Sequence, residues 1–434
     1  AIEAANAAAE AARAAAEAAR MAEEAAAAVA AADARVAATA EAISYHTAEP
    51  TYKKPGGTPA LAGNGHRVPN GIAQSLLGPG YPSEVLKING EILARYWATF
   101  DANSSSNAQD EIESGFQIAK ARLKVKGSLP ETDFSYTLVG GYSRSSGDFE
   151  LDDAFIDWKP GDGFGVRVGQ FKLPFTREFG LVAPAKVLLI DRSLSDSIFR
   201  ADRSQGIMFS AGGERVQAFA AFSDGRKAKS TDFTDTSEAD AAVTFRMQGR
   251  LGEASWKQFK DMTAFRGDKT GWLFGAAVHW QQDGETTAPT SFGDNANYVG
   301  WTADIAFESS GWNISAAVNG AHISGGGESL SDFGVSAQGG VFLSDHFELI
   351  GRYSHVFPDE DKRTYGDDFA AFSVGMNYYP IARSQAIRVT GELTYFPGAQ
   401  ADSKSLVKEN TSIGLLDDDD DGQLAFGMQL QLLF

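Results

Sequence analysis

Apolar and polar residues alternate along most of this chain, and the alternation begins near Val85. In the segment LKINGEILARYWATF, every second position from Leu86 to Phe100 is mostly apolar, and the positions between them are mostly polar. A period of two places one residue type on each face of a β-strand. Similar segments recur as far as QLAFGMQLQLLF, which ends at Phe434. The pattern therefore predicts an all-β domain over residues 85–434.

Sixteen such segments can be delimited in the sequence, and bacterial transmembrane barrels have an even number of strands. In a barrel the apolar face of each strand meets lipid and the polar face meets water, whereas in a soluble sandwich the apolar face turns inward. The predicted ranges are 85–100, 114–127, 133–144, 149–159, 163–174, 205–212, 214–224, 241–252, 272–282, 297–309, 312–323, 331–343, 345–356, 368–380, 385–397 and 422–434.

The connections between these segments favour the barrel. Longer ones follow strands one, five, seven, nine, eleven, thirteen and fifteen, and short ones follow most even strands. Long extracellular loops and tight periplasmic turns are typical of outer-membrane barrels. Two connections break the alternation, because the one after strand three is short and residues 253–271 are long. A final Phe434 on an alternating strand also resembles the insertion signal of bacterial barrels. We predict a 16-stranded antiparallel transmembrane β-barrel.

The longest connection follows the fifth strand and includes Thr176–Asp202. Ordinary connections have about 4 to 6 residues, so a loop of this length needs a purpose. In a closed barrel, a long loop after an early hairpin can fold into the lumen and narrow it. We therefore expect the pore constriction in this loop.

Residues 1–45 form a separate, alanine-rich segment, and alanine is the strongest helix former. Glutamates recur every seven residues from Glu3 to Glu24, and aliphatic residues recur at the same spacing from Val29 to Ile43. A heptad repeat predicts an α-helical coiled coil, with a solvated single helix as the alternative. We expect this helix in the periplasm. Residues 46–84 are rich in proline and glycine and read as a linker.

Composition excludes several classes of protein. No run of about 18 strongly apolar residues appears outside the alanine tract, so helical membrane spans are not expected. The net charge of -19 argues against general nucleic-acid binding, which needs a basic surface. The absence of cysteine removes disulfides and thiolate chemistry. The histidines show no H-E-x-x-H spacing, and we expect neither an enzyme nor a cofactor.

Basic residues on one face of the second strand are the main candidates for a functional site. Lys120, Arg122, Lys124 and Lys126 alternate with apolar residues, and on a lipid-facing surface each would cost roughly 2 to 4 kcal/mol. They must face water, either in a lumen or on a solvated face of a soluble protein. The full set of predicted pore-lining, anion-binding residues is Arg95, Lys120, Arg122, Lys124, Lys126, Arg167, Lys172, Arg177, Arg192, Arg200 and Arg203.

The same stretch of sequence carries acidic residues that leave a structural role open. Arg192 and Arg203 could pair with Asp191, Asp196 or Asp202 instead of binding anions. Selectivity depends on the charges at the constriction and not on the total charge of the chain. The sequence alone therefore does not decide which of these cations face the lumen.

An acidic run provides a weak metal candidate. Asp417, Asp419 and Asp421 resemble the start of a calcium loop, but the twelfth position would be Met428, which cannot supply the bidentate carboxylate. A hydrated extracellular loop is the favoured interpretation. Weak surface Ca²⁺ binding, for instance in a bridge to lipopolysaccharide, is the alternative.

Several motifs resemble those of the phosphate-selective porin O/P family. They are FQIAKARLKVKG at 116–127, DAFIDW at 153–158, GQFKLPF at 169–175, RSL at 192–194 and RSQG at 203–206. Their order and spacing agree with the family pattern over residues 85–434. The resemblance implies a trimeric outer-membrane porin whose third extracellular loop folds inward and whose basic residues pass anions such as phosphate.

We therefore expect a homotrimeric bacterial outer-membrane porin that conducts small hydrophilic solutes passively, anions foremost. Its expected partners are outer-membrane lipid and lipopolysaccharide. The alternative is a structural protein whose N-terminal helix spaces or tethers the outer membrane to the cell wall, with conduction incidental.

Overall fold

The structure is a computed structural model. It describes residues 86–101, 112–144, 146–235, 237–287, 296–363, 367–398, 406–416 and 422–434. The predicted helix at 1–45, the linker at 46–84 and the candidate calcium ligands Asp417, Asp419 and Asp421 lie outside the described residues. No helix within these ranges is long and apolar enough to cross a membrane.

Sixteen antiparallel strands close into a barrel, which confirms the predicted fold. Each strand pairs with its neighbours in sequence, and the first pairs with the last. The strands are β1 (Lys87–Asp101), β2 (Ile112–Ser128), β3 (Phe134–Tyr142), β4 (Phe149–Gly161), β5 (Phe164–Lys172), β6 (Arg203–Gly212), β7 (Val216–Ser223), β8 (Ala239–Gly252), β9 (Gly271–Asp283), β10 (Asn297–Ser309), β11 (Trp312–Gly325), β12 (Glu328–Phe342), β13 (Phe347–Phe357), β14 (Phe369–Tyr378), β15 (Ile387–Phe396) and β16 (Gln423–Leu433).

Alternation along the strands sorts their side chains between the two surfaces of the barrel. On β16, Phe426, Met428 and Leu430 are exposed on the outside, whereas Gln429 and Gln431 are buried in the interior. Apolar residues outside and polar residues inside are the reverse of a soluble sandwich and fit a lipid-facing barrel. The terminal Phe434 closes the barrel through two backbone hydrogen bonds with Gly90, of 2.6 and 3.1 Å.

The two ends of the barrel differ in their connections. We call the end with the tight turns 162–163 and 310–311 the turn end, and the end with the long connection 173–202 the loop end. The long turn-end segment at 253–270 is confirmed, and it reaches the interior, where the Met262 N–H donates to Lys186 O at 3.0 Å. The predicted long connection after the eleventh strand is wrong. β11 and β12 extend until only two glycines join them, and both have positive φ (58° and 83°), as a tight hairpin turn requires.

The connection Leu173–Asp202 lies inside the barrel, as predicted, and we call it the inserted loop. It contains a π-helical turn at Arg177–Leu181, a 3₁₀ turn at Pro184–Lys186 and a short helix, α1, at Leu194–Phe199. The Ser193 hydroxyl caps α1 by accepting from the Asp196 N–H at 3.2 Å. Local side-chain capping of this kind lets a loop keep a fixed shape without strand partners.

Apolar side chains fill the interior near the loop end. Leu194 and Phe199 of α1 pack with Trp97 of β1 and with Ile413 and Leu415 from the segment 406–416. These residues are at most 6% exposed. The inserted loop and this second segment therefore occupy part of the lumen, and the open space is displaced toward the wall formed by the early strands.

Candidate functional site

The inserted loop is fixed by side chains of the opposite wall. Four of the five backbone carbonyls of Val187–Asp191 accept hydrogen bonds from inward-facing residues, which satisfies a buried backbone that has no strand partner. The bonds are Arg388 to Val187 O at 2.8 Å, Asn377 to Leu188 O at 2.9 Å, Arg95 to Ile190 O at 2.8 Å and Arg352 to Asp191 O at 2.7 Å. In this part of the loop the barrel thus binds the backbone directly.

Buried ion pairs hold the start of the inserted loop. Arg177 lies 3.3 Å from the Glu308 carboxylate and is 5% exposed. On the wall, Arg246 pairs with Asp304 at 2.8 Å and also donates to Phe175 O at 2.8 Å. Breaking one partner of such a pair leaves a buried charge, which is strongly destabilising. These arginines fix the loop to the wall.

Helix α1 brings two carboxyl groups together in the interior. Glu178 accepts from the Ser193 N–H at 2.8 Å and from Gln338, whereas Asp196 lies 3.9 Å from the Arg192 guanidinium. Burial, reinforced by the charge of Glu178, raises the pKa of the Asp196 carboxyl to about 7. Asp191 behaves oppositely: burial alone would raise its pKa, but the charges of Arg95 and Arg192 hold it below its usual range.

A cavity of about 1080 Å³ lies between the inserted loop and the wall from β1 to β9. It extends to the turn end, where Gly163 and Gly212 belong to its lining. Four acidic residues line it, namely Glu91, Asp153, Asp157 and Asp162. Nine basic residues line it, namely Arg122, Lys124, Lys126, Lys159, Arg167, Lys172, Lys186, Arg203 and Lys260. Cations therefore outnumber carboxylates by five around this cavity, although the whole chain is acidic.

The arginines of the cavity are paired with carboxylates. Arg167 makes a bidentate pair with Asp157, at 2.8 and 3.1 Å. Arg203 lies 2.8 Å from Asp153, and it also approaches Asp152 at 3.6 Å.

Arg122 is paired twice, with Glu91 at 2.8 Å and with Asp152 at 3.2 Å. A planar guanidinium can donate two parallel N–H hydrogen bonds to a carboxylate. In these pairs, the N–H groups that could bind a permeating anion already contact a carboxylate.

Most lysines of the cavity have no such partner. Lys124 and Lys126 lie on the inward face of β2, and Lys172 donates to two backbone carbonyls of the inserted loop, Phe179 O at 2.9 Å and Val182 O at 3.4 Å. Among the described residues, Lys186 alone of the cavity lysines pairs with a carboxylate, that of Asp261, at 2.8 Å. We use the name unpaired lysines for those that form no ion pair within the part of the chain that the structure describes: Lys124, Lys126, Lys159, Lys172 and Lys260.

One aromatic ring lies at the centre of the basic residues around the inserted loop. The Phe179 side chain is 5% exposed and has four cationic groups near its ring centroid. They are Lys172 at 4.6 Å, Arg192 at 4.8 Å, Arg200 at 4.8 Å and Arg203 at 5.7 Å. The electron-rich face of the ring attracts cations and offsets part of their mutual repulsion.

The structure divides the eleven residues predicted to bind anions. Six line the cavity: Arg122, Lys124, Lys126, Arg167, Lys172 and Arg203. Five lie outside its lining: Arg95, Lys120, Arg177, Arg192 and Arg200. Of the five, Arg95, Arg177 and Arg192 are buried against the inserted loop or within it. Anion binding by any of the eleven stays a prediction.

Sequence reasoning missed three cavity cations, Lys159, Lys186 and Lys260. The alternation of β4 could have revealed Lys159, because it shares the inward face with Asp157. Lys260 is the last residue of a 3₁₀ turn, Gln258–Lys260, in the segment 253–270, and this segment has no sequence period that would place Lys260 inside the barrel.

Known structures share this architecture. The anion-selective porin from Comamonas acidovorans matches with a TM-score of 0.55 at 11% identity, over 80% of this chain and 99% of that one. OmpT of Vibrio cholerae in its trimer form matches with a TM-score of 0.55 at 11% identity, over 81% and 99% of the chains. DcaP of Acinetobacter baumannii, an outer-membrane channel, matches with a TM-score of 0.52 at 12% identity, over 80% of this chain and 97% of that one. At these identities the likeness establishes the fold alone.

A comparison with curated protein sequences found no match. The sequence profile of the family described as "Phosphate-selective porin O and P" matches residues 91–432, which is nearly the whole barrel. The profile also spans the inserted loop and the strands that line the cavity. The chain therefore belongs to the phosphate-selective porin O and P family, and it is a bacterial outer-membrane porin, a passive channel for small hydrophilic solutes.

Proposed function

We propose that this channel favours anions, phosphate among them, and that the unpaired lysines set the preference. The observation that supports this is the contrast inside the cavity, where the arginines are paired with carboxylates while Lys124 and Lys126 form no ion pair among the described residues. A paired cation has little net field beyond its partner, whereas an unpaired ammonium group attracts anions from the lumen.

The mechanism needs no moving part and no chemical step. An anion entering the cavity replaces some of its water with the field of the nearby ammonium groups, which lowers its barrier relative to that of a cation. Ammonium groups are strongly hydrated and sit on flexible stems, so they favour an anion without holding it tightly. Weak binding at several positions allows an ion both to enter and to leave.

The proposal is tested by the zero-current potential of the channel in planar bilayers under a KCl gradient. We expect a potential whose sign shows that chloride is more permeant than potassium. The same experiment with potassium phosphate in place of KCl should again show the anion as the more permeant ion. A potential of the opposite sign would overturn the proposal.

We also propose a homotrimer, with the turn end in the periplasm and residues 1–45 projecting there as a coiled coil. One-sided long loops support the orientation, and the heptad spacing from Glu3 to Glu24 supports the coiled coil. The mass of the folded protein in detergent, measured by light scattering, checks the oligomer. A monomeric mass would contradict it. An Asp162→Cys variant tests the orientation, because the thiol should resist a reagent that is too large to pass the channel, such as a maleimide on a long polyethylene glycol chain, applied to intact cells.

A further inference from the structure

The surface of the cavity is not uniformly polar. Leu181 and Ala183 of the inserted loop, Phe219 of β7 and Trp256 of the segment 253–270 all line it, and each is half-buried or exposed. We call these four residues the apolar strip. Phe259 and Leu273 are buried beside Trp256 and support it. Each of the four keeps part of its apolar surface exposed to the water-filled lumen.

The apolar strip and the lysines of β2 lie on different sides of the cavity. In barrel order β2 and β7 are five strands apart, and the wall between them carries the paired side chains of Arg167 and Asp157. Lys124 and Lys126 face inward from β2 without an ion-pair partner in the described ranges. Lys260, which also forms no ion pair among the described residues, lines the cavity on the same segment as Trp256, so a solute there meets an ammonium group and an apolar surface together.

Trp256 and Phe219 are held in place by neighbouring residues. The indole N–H of Trp256 donates to Gly213 O at 3.0 Å, and the Arg250 guanidinium lies 5.6 Å from its ring. Phe219 packs against the apolar cluster around Phe171 and Met208. With its polar atom satisfied by the β6–β7 turn, the indole presents apolar surface to the lumen.

From this arrangement we infer that the channel selects amphipathic organic anions, in which a carboxylate or similar group is joined to an aromatic or aliphatic body, over hydroxylated anions of equal charge and similar size. The inference rests on the proposed anion preference and specifies its solute class. The charged group stays near Lys260, which lines the cavity four residues after Trp256 on the segment 253–270, while the apolar body leaves water against the strip. A cavity of about 1080 Å³ has room for such a solute.

The test compares benzoate with glucuronate, two ring-containing monocarboxylates, by bi-ionic reversal potentials against chloride in planar bilayers. After correction for diffusion in water, we expect benzoate to be more permeant by about threefold, the factor expected when roughly 30 Å² of the ring leaves water. Phe219→Ser should lower this ratio toward one. Leu181→Ser, on a different element, should lower it as well and serves if the first variant fails to fold.

Ser210→Ala is the matched control, because Ser210 faces Phe219 across the β6–β7 pair and lines the same cavity. It should leave the benzoate-to-glucuronate ratio unchanged. Equal permeation of the two anions in the wild type would overturn the inference, as would variants that change both permeabilities by the same factor. A wild type that prefers potassium to chloride would instead refute the proposed anion preference, so the two failures can be distinguished.

Discussion

At the scale of single residues, the lumen holds two kinds of cation with different roles. Arginines such as Arg167 and Arg203 form ion pairs with carboxylates on other strands and stabilise the barrel wall. Lysines such as Lys124 lack an ion pair among the residues described and remain available to the solution in the pore. The difference follows from chemistry, since the guanidinium fork suits a fixed carboxylate and the ammonium group is a mobile point charge.

Phe179 should act as a positioning residue for the cations around it. Each cation–π contact contributes about 0.5 to 2 kcal/mol, depending on its exposure to water. Phe179→Leu keeps an apolar side chain but loses the ring face, so we expect the zero-current potential in a KCl gradient to shift toward lower anion preference. Phe179→Tyr keeps the ring and should restore the wild-type potential.

The control for this prediction is Phe265→Leu. Phe265 is also buried, but it packs against Phe342 and Tyr379. It should destabilise the barrel without a change in reversal potential. Equal potentials for Phe179→Leu and the wild type would show that the ring has no part in positioning the cations.

At the scale of elements, the middle of the inserted loop is held by hydrogen bonds that side chains of the barrel wall donate to its backbone carbonyls. Arg388 is fully buried, and the shorter of its two hydrogen bonds to described residues, of 2.8 Å, goes to Val187 O. Arg388→Met should leave that carbonyl without its donor, at a cost of about 1 to 3 kcal/mol in the stability of the docked loop. We expect larger current fluctuations in single-channel recordings. Arg383→Met, at an exposed turn-end position, is the control, and its single-channel current fluctuations should equal those of the wild type.

The buried carboxyl groups of Glu178, in the π-helical turn, and Asp196, in α1, make the inserted loop sensitive to pH. Because the pKa of Asp196 is raised to about 7 in the folded protein, the folded state retains a proton that the unfolded chain loses at lower pH. Stability therefore falls as the pH rises through this window. Asp196→Asn mimics the neutral acid and should be more stable than the wild type at pH 8, by on the order of 2 kcal/mol, with the difference disappearing toward pH 4.

Guanidinium unfolding in detergent micelles at several pH values measures this difference. Glu253→Gln is a suitable control, since the Glu253 side chain is 74% exposed. It should give a pH profile parallel to that of the wild type. An Asp196→Asn variant with no added stability at pH 8 would mean that folding does not raise the pKa of the Asp196 carboxyl.

Sequence reasoning succeeded where a local period carries the information. The alternation of β16 and the length of the segment Thr176–Asp202 are visible without any partner, and both predictions agree with the structure. Ion pairing could not be predicted in the same way. Arg203, at the start of β6, pairs with Asp153 of β4, which lies fifty residues earlier in the chain. The contact depends on the end of β5 at Lys172 and on the bulge in β4, and neither has a local sequence pattern.

The position of the inserted loop within the lumen could not be predicted from the sequence either. Which half of the barrel the inserted loop occupies depends on Asn377, Arg388 and Arg95 reaching its carbonyls from strands that are distant in the chain. A backbone carbonyl has no sequence signature, so these contacts leave no local pattern. The predicted strand 312–323 ends two residues before Gly325, because glycine is depleted in strands and gives no strand signal.

At the scale of the whole molecule, total and local charge have opposite signs. The chain carries a net charge of -19, whereas the cavity has nine basic and four acidic residues. Screening explains how both can hold. At about 0.1 M salt, charges more than about 10 Å apart across water hardly interact, so an ion in the cavity senses the groups around it and not the acidic surface.

The most direct test of this account compares two neutralised channels by their zero-current potentials in a KCl gradient. In the first, Lys124→Gln and Lys126→Gln remove two unpaired lysines. In the second, Arg167→Gln and Asp157→Asn remove an ion pair on the same wall and leave the net charge unchanged. The account predicts a marked loss of chloride preference in the first channel and little change in the second. A second channel that lost as much preference as the first, or a first channel identical to the wild type, would contradict it.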